Sequence, residues 1–244
     1  MEERSRRLTS AKAAAQHAQQ DIGAKGPPSG DSAGKPSRRR RSREVTRNKL
    51  IAAALTVFAR KGIESSTIND ITEEADVGFG SFYNYFTSKT EIATCVLKAR
   101  AEEVATIGDV IADHENDPAV VVAYIQRVFL TKAVTDPVWG WFIIHASHSL
   151  PELTSIFMEH GKRDIRRGVQ QGRFSVEHED TAMRIVLSAL QGMMRAILEN
   201  EVPPSAVDET IEYLLIMLGI DEQDARLLSR NPLPRYVTQL FQES

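Results

Sequence analysis

The side chains best suited to contact a nucleic acid lie between residues 79 and 86, where hydroxyl, amide and aromatic groups follow one another without an acidic residue. Gly80, Ser81, Tyr83, Asn84 and Tyr85 make up most of this stretch. Such side chains donate hydrogen bonds to phosphates or reach base edges in the major groove of DNA. An ordinary surface helix, with its tyrosines half-buried against a core, accounts for the same composition. Composition alone therefore leaves both interpretations open.

The elements that must position these side chains can be predicted from hydrophobic spacing. An apolar residue recurs every three or four positions before Lys61-Gly62, which predicts a helix over about 45–61 that ends at a C′ glycine. Thr67 followed by Asp70 forms a capping-box pattern and starts a second, short helix. Asp76-Val77-Gly78 interrupts that helix, and a third is predicted over 79–86. Two short helices joined by a three-residue turn are typical of a helix-turn-helix, here about residues 67–86.

The stretch from Thr67 to Lys89, TINDITEEADVGFGSFYNYFTSK, resembles the DNA-binding signature of the TetR/AcrR family of transcriptional regulators. The resemblance extends back through Ala53, Phe58 and Gly62 and forward to Glu91 and Ile92, so it covers about residues 44–105. The chain departs from the usual family pattern at Thr72, Asp76 and Gly78. The resemblance implies an all-α fold, with an N-terminal three-helix helix-turn-helix domain and a larger helical ligand-binding and dimerisation domain.

The resemblance also implies roles for single residues. Thr67 and Lys89, each at the start of a helix, would hold phosphates on either side of the groove. Gly80 would let the recognition helix approach the DNA closely. Ser81, Tyr83, Asn84 and Tyr85 would contact bases or backbone, and the sequence does not separate those two roles.

Charge is distributed unevenly along the chain. Residues 1–43 carry 11 Lys or Arg against four Asp or Glu, whereas the whole chain has a net charge of −3. This segment has almost no large apolar residues, which predicts a disordered arm. Its run Arg38, Arg39, Arg40 and Arg41 could neutralise DNA phosphates, although a solvated tail explains it equally well. The predicted domains are the arm (1–43), the DNA-binding domain (44–104) and the ligand-binding and dimerisation domain (105–244).

The rest of the chain is predicted to be helical throughout. Helices are expected over about 88–113, 118–135, 137–148, 151–171, 178–200, 204–219 and 221–230, before a proline-punctuated tail with Tyr236, Leu240 and Phe241. The apolar stripes of 178–200 and 204–219 are wider than one core-facing side requires. Deep burial explains this width, and the family resemblance implies instead that these two helices pair with their twins in a homodimer.

The family resemblance further implies a cavity for a small, mostly hydrophobic effector. Apolar and aromatic side chains with a few polar groups are typical of such a site, although simple core packing is an alternative for each of them. The candidate lining residues are Tyr124, Phe129, Trp139, Trp141, Phe142, His145, Phe157, Met158, Met183 and Leu187.

Other functional classes find little support in the sequence. There is no phosphate-binding loop, dinucleotide fingerprint or nucleophile elbow, so neither an enzyme nor a cofactor is expected. His145, His148 and His160 lack patterned partners for a metal, and Cys95 is expected to be a buried, inert thiol. No segment is apolar enough to cross a membrane, which favours a cytoplasmic protein.

The expected function is a ligand-released repressor that binds an operator in double-stranded DNA. An activator is the closer alternative, and a non-specific architectural DNA-binding protein is the more distant one.

Overall fold

A computed structural model describes residues 38–242, with side-chain surroundings for all of these except 38–39, 151–154 and 241–242. The arm predicted to be disordered, residues 1–43, lies outside the described residues as far as residue 37, whereas residues 38–43 are helical, so the prediction of disorder is wrong for them. The chain divides into two units between Ser42 and Arg43, and the second unit contains all the described residues from Arg43 onward. Helices and turns make up the described residues, with no β-strand among them, so the all-α prediction is confirmed.

Eleven α-helices follow one another along the described part of the chain. They are α1 (Arg38–Lys61), α2 (Ile68–Glu74), α3 (Phe79–Phe82), α4 (Lys89–His114), α5 (Pro118–Thr135), α6 (Pro137–Ser149), α7 (Pro151–Gln170), α8 (Glu179–Leu198), α9 (Ala206–Met217), α10 (Glu222–Arg230) and α11 (Arg235–Gln242). We call α1–α3 the head and α4–α11 the body. No helix in the described range is long and apolar enough to span a membrane.

The head is held by a small aromatic and aliphatic core. Leu50 and Phe58 of α1, Ile71 of α2 and Phe82 of α3 are all fully buried. The rings of Phe82 and Phe86 lie 5.8 Å apart, because residues four positions apart project from the same side of a helical path. The head core thus fixes the orientation of the short segment that follows the turn.

The body is built around α5. This helix packs against α4, α6, α7, α8, α9 and α10, and most of its side chains are buried. Asp117 caps its start by accepting a hydrogen bond from the N–H of Ala119, and Pro118 occupies the first turn, where no N–H is needed. Asp136 and Pro137 repeat this arrangement at the start of α6.

Three boundaries differ from the sequence prediction. Helix α1 begins at Arg38 and not near 45, so Arg38–Arg41 lie on a helix; arginine has high helix propensity, which allows the helix to extend. The recognition helix ends at Phe82 and not at 86, because the N–H groups of Asn84 and Tyr85 bond three residues back, in tighter turns. The tail predicted after residue 230 contains α11, whose residue Val237 is fully buried.

Candidate nucleic-acid interface and effector site

The helix-turn-helix begins with a complete capping box. The hydroxyl of Thr67 accepts from the N–H of Asp70, and the Asp70 carboxylate accepts from the N–H of Thr67 at 2.9 Å. Lys61, at the end of α1, donates to the same carboxylate at 2.6 Å. This bond, with the two from Thr67, lowers the pKa of Asp70 from 3.8 to about 2. The capping hydroxyl of Thr67 can still donate its own hydrogen to a phosphate.

In the turn between α2 and α3, the residue with a left-handed backbone conformation is an aspartate. Asp76 has a φ of 53°, in the left-handed region that aspartate tolerates better than most residues, whereas Gly78 has a φ of −62°. Gly78 caps α3 without a side-chain hydrogen bond. The departures of Asp76 and Gly78 from the family pattern therefore leave the turn intact.

The outer surface of α3 and the turn after it carries the side chains predicted to contact DNA. Tyr83 is 53% exposed and Asn84 is also exposed, while Ser81 and Tyr85 are half-buried. A Cβ added at Gly80 would meet no atom within 4 Å, so the backbone there is open to a close approach. Gly80, Ser81, Tyr83, Asn84 and Tyr85 thus lie on one short segment, which the backbone at Gly80 leaves open to DNA.

Phe79 is an interface candidate that the sequence interpretation missed. This first residue of α3 is 51% exposed, and its ring lies edge-on to that of Tyr83 with centroids 5.8 Å apart. Apolar side chains contact the methyl group of thymine in the major groove. The signal in the sequence was an aromatic residue next to the turn, at a position where the apolar spacing does not require one.

Lys89 has a structural role that the sequence analysis did not predict. Its ammonium group donates to the backbone carbonyls of Glu64 at 2.8 Å and Ser66 at 2.6 Å, which ties the start of α4 to the loop before α2. An ammonium group carries three N–H donors, so one remains for a phosphate. Lys89 therefore positions the loop that leads to Thr67 as well as presenting a positive charge.

Two arginines of α1 support the segment after α3, a role that the sequence analysis predicted for neither of them; Arg43 was expected only to neutralise phosphates together with Arg38–Arg41. Arg43 donates to the backbone carbonyl of Asn84 at 3.3 Å, and its guanidinium lies 5.9 Å from the centroid of Tyr85. Arg47 lies 5.3 Å from the Phe86 ring and donates to the thiol of Cys95 at 3.3 Å. Cys95 is thus a partly buried hydrogen-bond acceptor. The two arginines are four residues apart, so the sequence could have shown that they lie on the same side of α1.

In the body, three of the predicted effector-contacting residues form one aromatic cluster, which we define as Phe129, Trp139 and Phe157. The Phe129 ring lies 5.4 Å from Trp139 and 5.4 Å from Phe157, edge-on in both cases. Met158, Met183 and Leu187 are buried on the adjoining helices α7 and α8. An added Cβ at Gly161 of α7 would overlap the thioether of Met183, so these two helices approach each other closely.

The other predicted effector-contacting residues lie elsewhere. Phe142 stacks on Phe58 at 6.4 Å, and the Nδ1 of His145 donates to the Phe58 carbonyl at 3.0 Å, so both residues join the body to the head. Trp141 stacks on His145 at 5.7 Å. Burial and the nearby charge of Glu115 raise the pKa of Tyr124, and the same Glu115 carboxylate accepts a hydrogen bond from the Tyr236 hydroxyl of α11 at 3.0 Å.

A buried acidic group also escaped the sequence prediction. Asp164 of α7 is only 6% exposed, and burial raises its pKa against the opposing charge of Arg163. Arg163 also binds Asp109 of α4 at 2.9 Å. Asp164 follows Phe157 by seven residues and so lies on the same side of α7.

An open cleft of about 1130 Å³ lies beside this part of α7. It is lined by Ser147, His148, Ser155, Met158, Glu159, His160, Lys162, Arg163, Arg166, Asp180 and Arg184.

The predicted histidines do not assemble a metal site. His148 contacts the carbonyl of Ile144 through Nδ1 at 2.9 Å, and His160 lies 3.9 Å from Asp109. Between residues 38 and 242, no group of three His, Cys, Asp or Glu side chains is placed to hold a metal ion.

The capped helix-turn-helix and its exposed α3 surface, joined to a helical body, define a helix-turn-helix transcriptional regulator. Residues 50–94 match the sequence family described as bacterial regulatory proteins, tetR family, and residues 117–230 match the tetracyclin repressor-like C-terminal domain. The chain therefore belongs to the TetR family of transcriptional regulators, a class without enzymatic activity.

Relatives along most of the chain agree with this assignment. The chain is 39% identical over 186 residues to SrpR, an HTH-type transcriptional regulator of Pseudomonas putida, across 72% of this chain and 83% of SrpR. It is 27% identical over 191 residues to the HTH-type regulator YfiR of Bacillus subtilis strain 168, across 71% and 92%. A crystal structure of RolR in complex with resorcinol aligns with a TM-score of 0.62 at 31% identity, covering 80% of this chain and 98% of RolR.

Proposed function

We propose that this protein is a homodimeric repressor that binds a specific operator through α3 and is released by a small aromatic effector. The observation that carries the DNA-binding part is the α3 surface, where Tyr83, Asn84 and Gly80 lie exposed on a segment braced by Arg43. Thr67 and Lys89 flank that surface and would contact phosphates, while Ser81, Tyr83, Asn84 and Tyr85 would contact bases or backbone.

Exposed apolar side chains on α8 and α9 support the homodimer. Ile185 is 49% exposed and Tyr213 is 68% exposed, and Met217 lies one turn beyond Tyr213. Gly192 lies on the exposed side of α8, and an added Cβ there would meet no atom within 4 Å. A mid-helix glycine destabilises a helix by about 1 kcal/mol relative to alanine. Close approach of a second copy supplies a reason to retain it, and two-fold symmetry suits paired operator half-sites.

The homodimer can be tested by the sedimentation of charged variants. Ile185→Glu and Tyr213→Glu are expected to convert the dimer to a monomer. The matched control is Val138→Glu, which alters a comparably exposed apolar residue on α6. Dimers that persist in both variants would place the interface elsewhere.

The aromatic cluster of Phe129, Trp139 and Phe157 supports an effector with a flat ring. The bound ligand of the RolR structure, resorcinol, is such a ring with two hydroxyl groups. Asp164 is buried on the same side of α7 as Phe157 and could accept a hydrogen bond from a hydroxyl group. Release follows if the effector binds more tightly to a state of the dimer that cannot engage both half-sites.

The basic run at the start of α1 would add affinity that does not depend on DNA sequence. Arg40 and Arg41 are exposed on α1, in the two turns before Arg47. Deleting residues 1–43 is expected to weaken operator binding and to make it less sensitive to salt. An unchanged salt dependence in the truncated protein would exclude this role.

The decisive experiment measures binding of the purified protein to DNA from upstream of its own gene, at several salt concentrations and with excess unrelated DNA. We expect tight binding that resists the competitor and is lost in Tyr83→Ala. Tyr83→Phe separates the ring from the hydroxyl, and Val138→Ala controls for the loss of an exposed apolar side chain. A reporter gene behind the same DNA then gives the sign of regulation. Binding that unrelated DNA abolishes equally in every variant would overturn the proposal.

A further inference from the structure

Gln126 and Trp139, on neighbouring helices of the body, are buried without a hydrogen-bond partner among the described residues. Gln126 of α5 is 2% exposed, and neither its amide nitrogen nor its amide oxygen has a partner there. Trp139 of α6 is fully buried, and its indole N–H has none either. Buried donors and acceptors are nearly always paired, and each unpaired group costs about 1–3 kcal/mol. These two residues therefore require a physical explanation.

Trp139 is part of the aromatic cluster, and Gln126 lies one helical turn from Phe129, another of its members. Gln126 precedes Phe129 by three residues, a spacing that puts the two side chains on adjoining rows of α5. Trp139 belongs to the cluster, and its ring lies 5.4 Å from that of Phe129. One amide group and one indole N–H without partners among the described residues thus lie on the two helices that supply Phe129 and Trp139 to the cluster.

A purely hydrocarbon ligand would give these polar groups nothing to bind. Leucine in place of Gln126 would serve such a ligand better, since it removes the cost of an unpaired buried amide. A hydroxyl group, by contrast, can donate to the amide oxygen and accept from the amide nitrogen or the indole. The polar groups therefore specify a ligand that combines a flat apolar body with hydroxyl groups.

We propose that Gln126 and Trp139 bind the hydroxyl groups of a small hydroxylated aromatic effector, whose ring packs against Phe129 and Phe157. This inference rests on the proposed effector-released repressor and adds to it two residues that recognise the hydroxyl groups of the effector. Gln126 fixes the orientation of the ring, and Trp139 contributes both an aromatic edge and a donor.

The test is calorimetric titration of the full-length protein with resorcinol, phenol and toluene. Three variants are compared with wild type: Gln126→Leu, Trp139→Phe and the control Gln170→Leu, which changes a glutamine near the end of α7. We expect wild type and the control to bind resorcinol, and Gln126→Leu to bind it about 10- to 100-fold more weakly, since it loses a buried hydrogen bond. Toluene affinity should be equal or higher in Gln126→Leu. Trp139→Phe keeps a ring without the N–H and should weaken resorcinol more than toluene.

The folded state of the variants is checked by their thermal unfolding without ligand. Gln126→Leu should unfold at the same or a higher temperature, because an unpaired buried amide has been removed. Wild-type affinity for resorcinol in Gln126→Leu, or equal losses for resorcinol and toluene, would overturn the proposal. So would failure of both hydroxylated ligands to bind wild type. Resorcinol that binds through Gln126 but leaves the operator complex intact would instead refute release by the effector, and leave the binding site established.

Discussion

Removing the ring of Phe79 should weaken operator binding without unfolding the head. A phenylalanine side chain buries about 150–250 Å² when fully covered. Phe79 is 51% exposed in the free protein, so about 100 Å² is available to be covered by DNA. At about 25 cal/mol per Å², this contact is worth about 1–2.5 kcal/mol, depending on how much of the ring is covered. Phe79→Ala should therefore reduce affinity roughly 5- to 70-fold.

The assay is fluorescence anisotropy of a labelled operator fragment, with Val138→Ala as the control for the loss of an exposed apolar side chain. A second step replaces single thymines of the operator by uracil, which removes only the methyl group. If Phe79 contacts one of those methyls, uracil at that position should weaken wild type but have no further effect on Phe79→Ala. Such non-additivity identifies residues in contact.

The reasoning would be refuted by a Phe79→Ala protein that binds within twofold of wild type. It would also be refuted if Phe79→Ala and uracil substitution were additive at every thymine. A large loss of thermal stability in Phe79→Ala would show that the ring serves the head core, and not the DNA.

Three further outcomes are expected. The pKa of Asp70 in the folded state is lowered from 3.8 to about 2, so its contribution to stability is complete above about pH 4 and is lost as the pH falls towards 2. The unfolding temperatures of wild type and Asp70→Asn should therefore differ above about pH 4 and converge near about pH 2. A difference that stays constant with pH would contradict this. Replacing Arg38–Arg41 by glutamine keeps a high helix propensity but removes four positive charges. The slope of log affinity against log salt concentration should fall by about 0.9 for each phosphate that is no longer neutralised. A slope equal to that of wild type would show that these arginines neutralise no phosphates. Glu103→Gln should destabilise the protein by about 3 kcal/mol in chemical denaturation, because it leaves the buried ammonium group of Lys132 without its carboxylate. Adding Lys132→Met removes that unpaired charge and should recover most of the lost stability. Additive losses would show that the two side chains act independently.

The sequence predicted those features that local chemistry determines. Helix α4 was expected to start at 88 or 89 and end near 113, and it runs from Lys89 to His114, because Ser88 caps it at a recognisable position. The capping pattern of Thr67 and Asp70 was also recognisable, because both partners lie three residues apart. Pro118 and Pro137 marked the starts of α5 and α6 for the same local reason.

The features that the sequence could not predict depend on packing between distant residues. Phe142 and Phe157 are both phenylalanines on predicted body helices, so the sequence does not distinguish them. In the structure, Phe142 stacks on Phe58 of the head, whereas Phe157 joins the aromatic cluster. The direction of each ring depends on how α6 and α7 pack, which spacing along one helix does not contain. The burial of Asp164 was equally hidden, since charged residues are seldom buried and no local pattern marks the exception.

We propose that an effector would influence DNA binding through α4, because this helix of the body is bonded both to the head and to α5. At its start, Lys89 holds the loop before α2 through two carbonyls. Farther along, Glu103 pairs with Lys132 of α5, whose ammonium lies 5.8 Å from the Trp139 ring. In the proposed release, a ligand against Trp139 would act through Lys132 and Glu103 on α4, whose start is bonded to the loop before α2. Because loss of one partner from a buried ion pair costs about 3–5 kcal/mol, we expect a displacement of α5 to be transmitted to α4, and from there to the loop that Lys89 holds before Thr67.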